Sequence, residues 1–86
     1  MSSNSSLQAI LSHLVSGIVT KPEGVNISAF TDVRGQVLQV RVDPVDLGRV
    51  IGKRGRTVQA LRTVISALAK GEPVRVEVVE TDYESS

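Results

Sequence analysis

The stretch that decides the fold is Val50-Ile51-Gly52-Lys53-Arg54-Gly55-Arg56-Thr57-Val58, in which two glycines flank two basic residues. Glycine has no Cβ, so Gly52 and Gly55 can adopt unusual dihedral angles and allow another chain to approach the backbone closely. A helical periodicity starts just after Gly55, and the free amides at the start of a helix attract anions. The spacing is compatible with a phosphate clamp carrying Lys53 and Arg54, or with a plain turn between two helices.

Hydrophobic periodicity predicts the elements on either side of this stretch. In chain order they are a helix over about 7–20, strands over 25–30 and 38–42 around a turn at 32–35, a short helix over 44–50, a helix over 56–69 and a strand over 74–78. Asp43 and Pro44 suit the cap and first position of the short helix. The order α-β-β-α-α-β predicts an α+β fold, a two-layer sandwich whose three-stranded sheet carries its helices on one face.

Length and composition bound the class of protein. With 86 residues the chain is expected to form one domain over 1–86, with an ordered core of about 7–80 and flexible ends at 1–5 and 81–86. Cysteine is absent, which excludes a disulfide framework and a thiol nucleophile. His13 is the single histidine and has no acidic neighbour on its helix, so we predict no metal, no cofactor and no enzymatic activity.

The chain shows neither a membrane span nor a signal peptide. No segment approaches the ~20 apolar residues that a transmembrane helix requires. The first residues lack the charged region and cleavage site of a secretory signal. We therefore expect a cytoplasmic protein.

Positive charge is concentrated in one part of the chain, although the formal net charge is only +1. No acidic residue occurs between Leu47 and Lys70, and the sign reverses between Glu72 and Glu84. The basic residues of the first segment are Arg49, Lys53, Arg54, Arg56, Arg62 and Lys70. One basic flank can attract a polyanion without a basic total, but the same pattern also fits a solvated helix face.

Residues 50–58 and the predicted element order together resemble K-homology (KH) domains, whose Ile-Gly-x-x-Gly core joins two helices. The order is similar to the prokaryotic type II arrangement, and the run from Gly48 to Thr57 resembles, more narrowly, the small bacterial KhpA family. The resemblance covers the chain from about Leu7 to Glu80. It implies binding of single-stranded RNA, in which the Gly-x-x-Gly loop clamps about four backbone nucleotides.

The resemblance also implies roles for individual residues. Gly52 and Gly55 would give close approach, Lys53 and Arg54 would contact phosphates, and Ile51 and Val58 would support the loop and partly floor a groove for bases. The charge pattern adds three candidates, which are Arg49, Arg56 and Arg41. Aromatic residues make up only 2% of the chain, so few side chains can stack on a base. We therefore expect weak, backbone-led binding with little sequence preference.

The helix predicted at 56–69 has a wide apolar face, which allows two interpretations of its outer residues. Val64 and Ala67 are either core residues or part of a dimer interface, since small domains gain stability by association. The KhpA resemblance implies a homodimer or a heterodimer with a KhpB-type KH protein. It further implies a low-specificity RNA-binding protein or RNA chaperone, linked through its partner to cell-shape control. The alternatives are a protein-interaction module and a ribosome-assembly factor, in which RNA binding is secondary.

Overall fold

The structure, a computed structural model, describes the backbone of residues 3–80 and the side chains of residues 6–79. Its helices and strands are α1 (Ser3–Ser16), β1 (Asn26–Asp32), β2 (Gly35–Val42), α2 (Leu47–Ile51), α3 (Arg56–Leu68) and β3 (Val74–Glu80). Three short 3₁₀ turns lie at Pro22–Gly24, Pro44–Asp46 and Lys53–Gly55. The predicted α+β fold and its α-β-β-α-α-β order are confirmed. The expectations for residues 1–2 and 81–86 lie outside the described residues.

The three strands form one mixed sheet in the order β1-β2-β3. β1 and β2 form an antiparallel hairpin in which Asp32 is paired with Gly35. β3 runs parallel to β2, with Gln36 opposite Val74 and Val42 opposite Glu80. A parallel neighbour needs a crossover connection, and α2 with α3 supplies it. β2 is therefore the central strand, and β1 and β3 are the two edges.

The core lies between the sheet and the helices and is wholly aliphatic. Leu38, Val40 and Val42 of β2 are completely buried, as the alternation of a half-covered strand requires. The packed cluster consists of Leu7, Leu11, Val15, Leu38, Val40, Val42, Val50, Leu61, Ile65, Ala69 and Val76. The side chains of β2 at odd-numbered positions point to the other face of the sheet.

The end of α1 differs from the prediction, and the side chains of α3 show which of its apolar residues lie outside the core. α1 ends at Ser16, earlier than the predicted end near Thr20, and the chain continues as a turn in which Ile18 N–H donates to the Val15 carbonyl at 2.9 Å. On α3, Leu68 is 43% exposed and Val64 is 42% exposed, whereas Ala69 is buried. The sheet is only three strands wide, so it covers one stripe of α3 and leaves a second apolar stripe outside.

The carboxylate of Asp46 joins the α1–β1 connection to the start of α2. Asp46 is completely buried, and its Oδ1 accepts hydrogen bonds from Thr20 N at 2.9 Å and Thr20 Oγ1 at 2.8 Å. Its Oδ2 accepts one from Lys21 N at 3.0 Å, and the Arg49 Nε lies 3.7 Å from Oδ1. Burial acts to raise the pKa of Asp46, but these hydrogen bonds and the Arg49 charge outweigh it and hold the pKa below its ordinary value.

The Asp46→Asn variant tests this connection. The amide replaces one of the two acceptor oxygens with an NH2 group that faces a backbone N–H group, so we expect the melting temperature at neutral pH to fall by roughly 5–10 °C, as the loss of a buried hydrogen-bonded acceptor predicts. Because the folded pKa lies below the unfolded one, the contribution of Asp46 is present above the unfolded pKa and is lost as the pH falls through the folded pKa.

The gap in melting temperature between wild type and Asp46→Asn should therefore narrow as the pH is lowered from about 6 to about 2. Glu23→Gln is the matched control, because Glu23 is an exposed carboxylate on the same connection. Equal melting temperatures for wild type and Asp46→Asn at neutral pH would show that the carboxylate does not hold the two segments together.

Candidate nucleic-acid interface

The loop between α2 and α3, Gly52-Lys53-Arg54-Gly55, consists largely of residues in left-handed backbone conformations. Gly52 has φ 81° and Gly55 has φ 75°, which glycine adopts without steric cost. Arg54 has φ 58° and ψ 26°, a region in which a residue with a Cβ is strained. Strain of this kind costs about 1–3 kcal/mol and is found preferentially at functional sites.

Gly52 also brings the loop against the first turn of α3. A Cβ at this position would lie 2.3 Å from Thr57 Oγ1 and 2.7 Å from Thr57 N, which no side chain can tolerate. Two further backbone bonds shape the bend, from Gly52 N–H to the Gly48 carbonyl at 2.8 Å and from Gly55 N–H to the Gly52 carbonyl at 3.0 Å. The glycine requirement inferred from the sequence thus has a steric cause at Gly52.

The tip of the loop is open to an anionic partner. Lys53 and Arg54 are exposed, and among the described residues neither side chain makes a hydrogen bond or an ion pair. Their backbone N–H groups have no acceptor in that part of the chain either. The N-terminus of α3, a 13-residue helix, begins directly behind them and adds its partial positive charge. Cations and unpaired amides thus meet on one surface, as phosphate oxygens require.

The other predicted site residues are distributed over two faces of the domain. Ile51 is 36% exposed beside the loop, and Val58 is buried beneath it, with its Cγ1 4.0 Å from the position of a Cβ on Gly55. Arg49 and Arg56 are exposed on α2 and at the start of α3. Arg41 is exposed at an odd-numbered position of β2, on the sheet face opposite the helices, so the structure does not bring it together with the loop.

Gly48 is a residue that the sequence reasoning did not assign to the site. It lies inside α2, and a Cβ placed on it would meet no atom within 4 Å. Glycine inside a helix costs about 1 kcal/mol relative to alanine. Neither its backbone conformation nor a neighbouring atom among the described residues requires a glycine here, and the space beside it is open. The signal in the sequence that could have drawn attention to Gly48 is a glycine inside a predicted helix.

A groove runs between α3 and the free edge of β3. It encloses about 390 Å³ and is lined by Arg62, Ser66, Val74, Arg75, Val76 and Glu77. Arg62 Nε donates to the Val76 carbonyl at 3.2 Å, so this carbonyl lies on the free edge of β3 and not on the edge paired with β2. Val58, Arg62 and Ser66 are four residues apart and form one row on α3, leading from the loop into the groove. The sequence identified Arg62 only as one of the basic residues between Leu47 and Lys70.

Two negative findings apply to the described residues alone. Over residues 3–80, no helix has the length and apolar character needed to cross a membrane. In the same part of the chain, no group of three or more His, Cys, Asp or Glu side chains is arranged to hold a metal ion.

Comparison with known proteins gives one consistent family. The model of the family "KhpA/KhpB, KH domain" matches residues 8–79. The chain is 55% identical to an RNA-binding protein KhpA of Leifsonia xyli subsp. xyli over 74 residues, which covers 86% of this chain and 97% of the relative. It is 51% identical to the RNA-binding protein KhpA of Streptomyces coelicolor over 77 residues, covering 90% and 96%.

More distant relatives bear the same name. The RNA-binding protein KhpA of Clostridium acetobutylicum is 39% identical over 72 residues, covering 84% of this chain and 96% of the relative. These relatives are named as RNA-binding proteins and not as enzymes, in agreement with the prediction of a non-enzymatic protein. The family match spans α1 to β3 and includes the glycine-bounded loop and the groove beside it. The chain belongs to the KhpA/KhpB family of KH domains.

Proposed function

We propose that this protein binds single-stranded RNA in the cytoplasm by clamping its backbone on the loop Gly52-Lys53-Arg54-Gly55. The observation that carries the proposal is the open tip of the loop, where exposed cations and unpaired amides lie at the mouth of α3. The names of the relatives, which are RNA-binding proteins, support the same ligand. The loop supplies charge and shape, and both act on phosphates regardless of base.

We expect weak binding with low sequence specificity, suited to an RNA chaperone. The chain has one Phe and one Tyr, and Phe30 lies on β1, outside the groove beside α3. Stacking on aromatic side chains contributes about 1–3 kcal/mol per base in other single-strand binders. Without it, most of the affinity must come from phosphates, and the binding must depend strongly on salt.

The outer stripe of α3 supports association with a second KH domain. Its exposed members are Ala60, Val64, Ala67 and Leu68, which repeat at helical spacing on one side. An apolar stripe on a small domain with a limited core is stabilised when another surface covers it. We propose that the partner is a second copy of this chain or a KhpB-type protein. The same stripe favours the alternative function, a protein-interaction module in which RNA binding is secondary.

Reversal of charge at the loop tests the clamp. For Lys53→Asp/Arg54→Asp, we expect the slope of log affinity against log salt to become shallower by about 1.4, since each lost phosphate contact contributes about 0.7 for single strands. The measurement is fluorescence anisotropy with a labelled single-stranded RNA over a salt series. The charge-matched control is Arg34→Asp/Lys70→Asp, which changes residues at the far end of α3 and on the nearby hairpin turn. A loop variant that is folded and binds with the wild-type slope would exclude the clamp.

The Gly48→Ala variant tests whether RNA lies against α2. The added methyl group meets open space within the domain, so the melting temperature should rise by a few degrees, as a helix propensity gain of up to about 1 kcal/mol predicts. RNA affinity should fall by about fivefold or more, because a methyl group inserted into a packed contact costs about 1–3 kcal/mol. An unchanged affinity together with the higher melting temperature would place the RNA elsewhere.

The Val64→Asp variant tests the association surface. Val64 is 42% exposed, so the isolated domain should fold as before, while a charge in the centre of an apolar interface should convert dimer to monomer. Sedimentation velocity at several protein concentrations measures the change, and Gln59→Asp, another exposed position on α3, is the control. Persistence of the dimer in Val64→Asp would exclude this stripe as the interface. A monomeric wild type at all concentrations would exclude the homodimer and leave the heterologous partner.

A further inference from the structure

Arg62 presents an oriented pair of hydrogen-bond donors to the groove beside β3. Its Nε is engaged by the Val76 carbonyl at 3.2 Å, which fixes the plane of the guanidinium group. Among the described residues, its two terminal nitrogens make no hydrogen bond and no ion pair. The end of the guanidinium thus retains two parallel N–H donors, the geometry that binds two adjacent acceptors at once.

The second arginine of the groove is already engaged. The guanidinium of Arg75 forms an ion pair with Asp32 and lies 3.7 Å from the Glu77 carboxylate. Asp32 is the last residue of β1 and Glu77 lies on β3 itself, so the charge of Arg75 is balanced within the domain. The Nε of Arg75 is buried and has no hydrogen-bond partner among the described residues, so the pair of unengaged donors exposed to an incoming molecule belongs to Arg62.

The groove is suited to a planar base more than to a phosphate. Its volume of about 390 Å³ is within the range of sites for small molecules, and Val74 and Val76 contribute apolar surface to it. Arg62 follows Gly55 by seven residues, which is about 10 Å along a helix. That separation lies within the roughly four nucleotides that a KH loop and groove accommodate. A strand held by its phosphates at the loop can thus place one of its bases against Arg62.

We propose that Arg62 is a specificity-determining residue that selects, at one nucleotide position, a base with two adjacent acceptors. Guanine offers O6 and N7, and cytosine offers N3 and O2. In adenine, the ring acceptors N1 and N7 each lie next to the N6 amino group, which is a donor. In uracil, the N3–H donor lies between the two carbonyl oxygens. Both would leave one Arg62 donor facing a donor. The inference rests on the proposed RNA binding and adds one selective position to an otherwise sequence-tolerant clamp.

The experiment compares four labelled RNA octamers by fluorescence anisotropy. They are an octamer of uridine and three derivatives with a single guanosine, cytidine or adenosine at the fourth position. Wild type should bind the guanosine or the cytidine octamer, or both, at least about fivefold more tightly than the other two, the lower end of what one bidentate contact contributes. The guanosine and cytidine octamers distinguish the two possible bases.

Arg62→Lys is the decisive variant, since it keeps the charge and removes the fork. It should bind all four octamers with the affinity that wild type shows for the octamer of uridine, within about twofold. The slope of its log affinity against log salt should equal that of wild type. Circular dichroism melting verifies the fold.

The inference and the clamp fail in different ways. Equal binding of the four octamers by wild type, or a preference that survives in Arg62→Lys, overturns the role of Arg62 and leaves the clamp intact. A uniform loss of affinity for all octamers in Arg62→Lys shows a phosphate contact and also overturns the selection of a base. Absence of binding to every octamer removes the proposed RNA binding, and this inference with it.

Discussion

The buried carboxylate of Asp46 is the constraint on which the position of the loop depends. α2 has only five residues, too few to hold its direction by its own hydrogen bonds, and it ends at Gly52. Asp46 precedes it and accepts three hydrogen bonds from Thr20 and Lys21, which follow α1. A charge in an aliphatic interior is tolerated only when its acceptor sites are filled. The hydrogen bonds that satisfy the carboxylate therefore also fix the position at which the glycine-bounded loop begins.

A narrow sheet explains why one helix serves two surfaces. α3 buries Val58, Leu61 and Ile65 against the sheet, and this stripe holds the loop-bearing end of the helix. Its next row, Arg62 and Ser66, lines the groove along β3, and a third stripe with Val64 remains outside. The proposed RNA binding and the proposed association therefore involve different rows of one helix. A dimer formed through the outer stripe would leave both grooves accessible.

The sequence was sufficient for the element order because each element had a clear period and a clear end. Asp43 accepts from Val45 N at 3.0 Å as a cap, and the glycine loop lies between the predicted helices. The position of Arg41 on the sheet face opposite the helices was also predictable from the sequence, because Leu38, Val40 and Val42 alternate with it and had to face the core. The contact of Asp46 with Thr20 was not, because 26 residues separate them and no local pattern connects them. The groove at Arg62 likewise depends on which edge of the sheet α3 covers.

In the proposed mode of binding, recognition of single-stranded RNA separates into a part that holds the strand and a part that discriminates between bases. In that mode the loop would act through charges and amides whose targets recur at every nucleotide, so it could not by itself distinguish one sequence from another. The edge of β3 differs, since a strand edge and an arginine fixed by a backbone carbonyl have directions as well as charge. Directional donors reject a mismatched base, because a buried donor facing a donor stays unpaired. A domain poor in aromatic residues can therefore remain broadly tolerant and still prefer certain bases at one position, without a stacking platform.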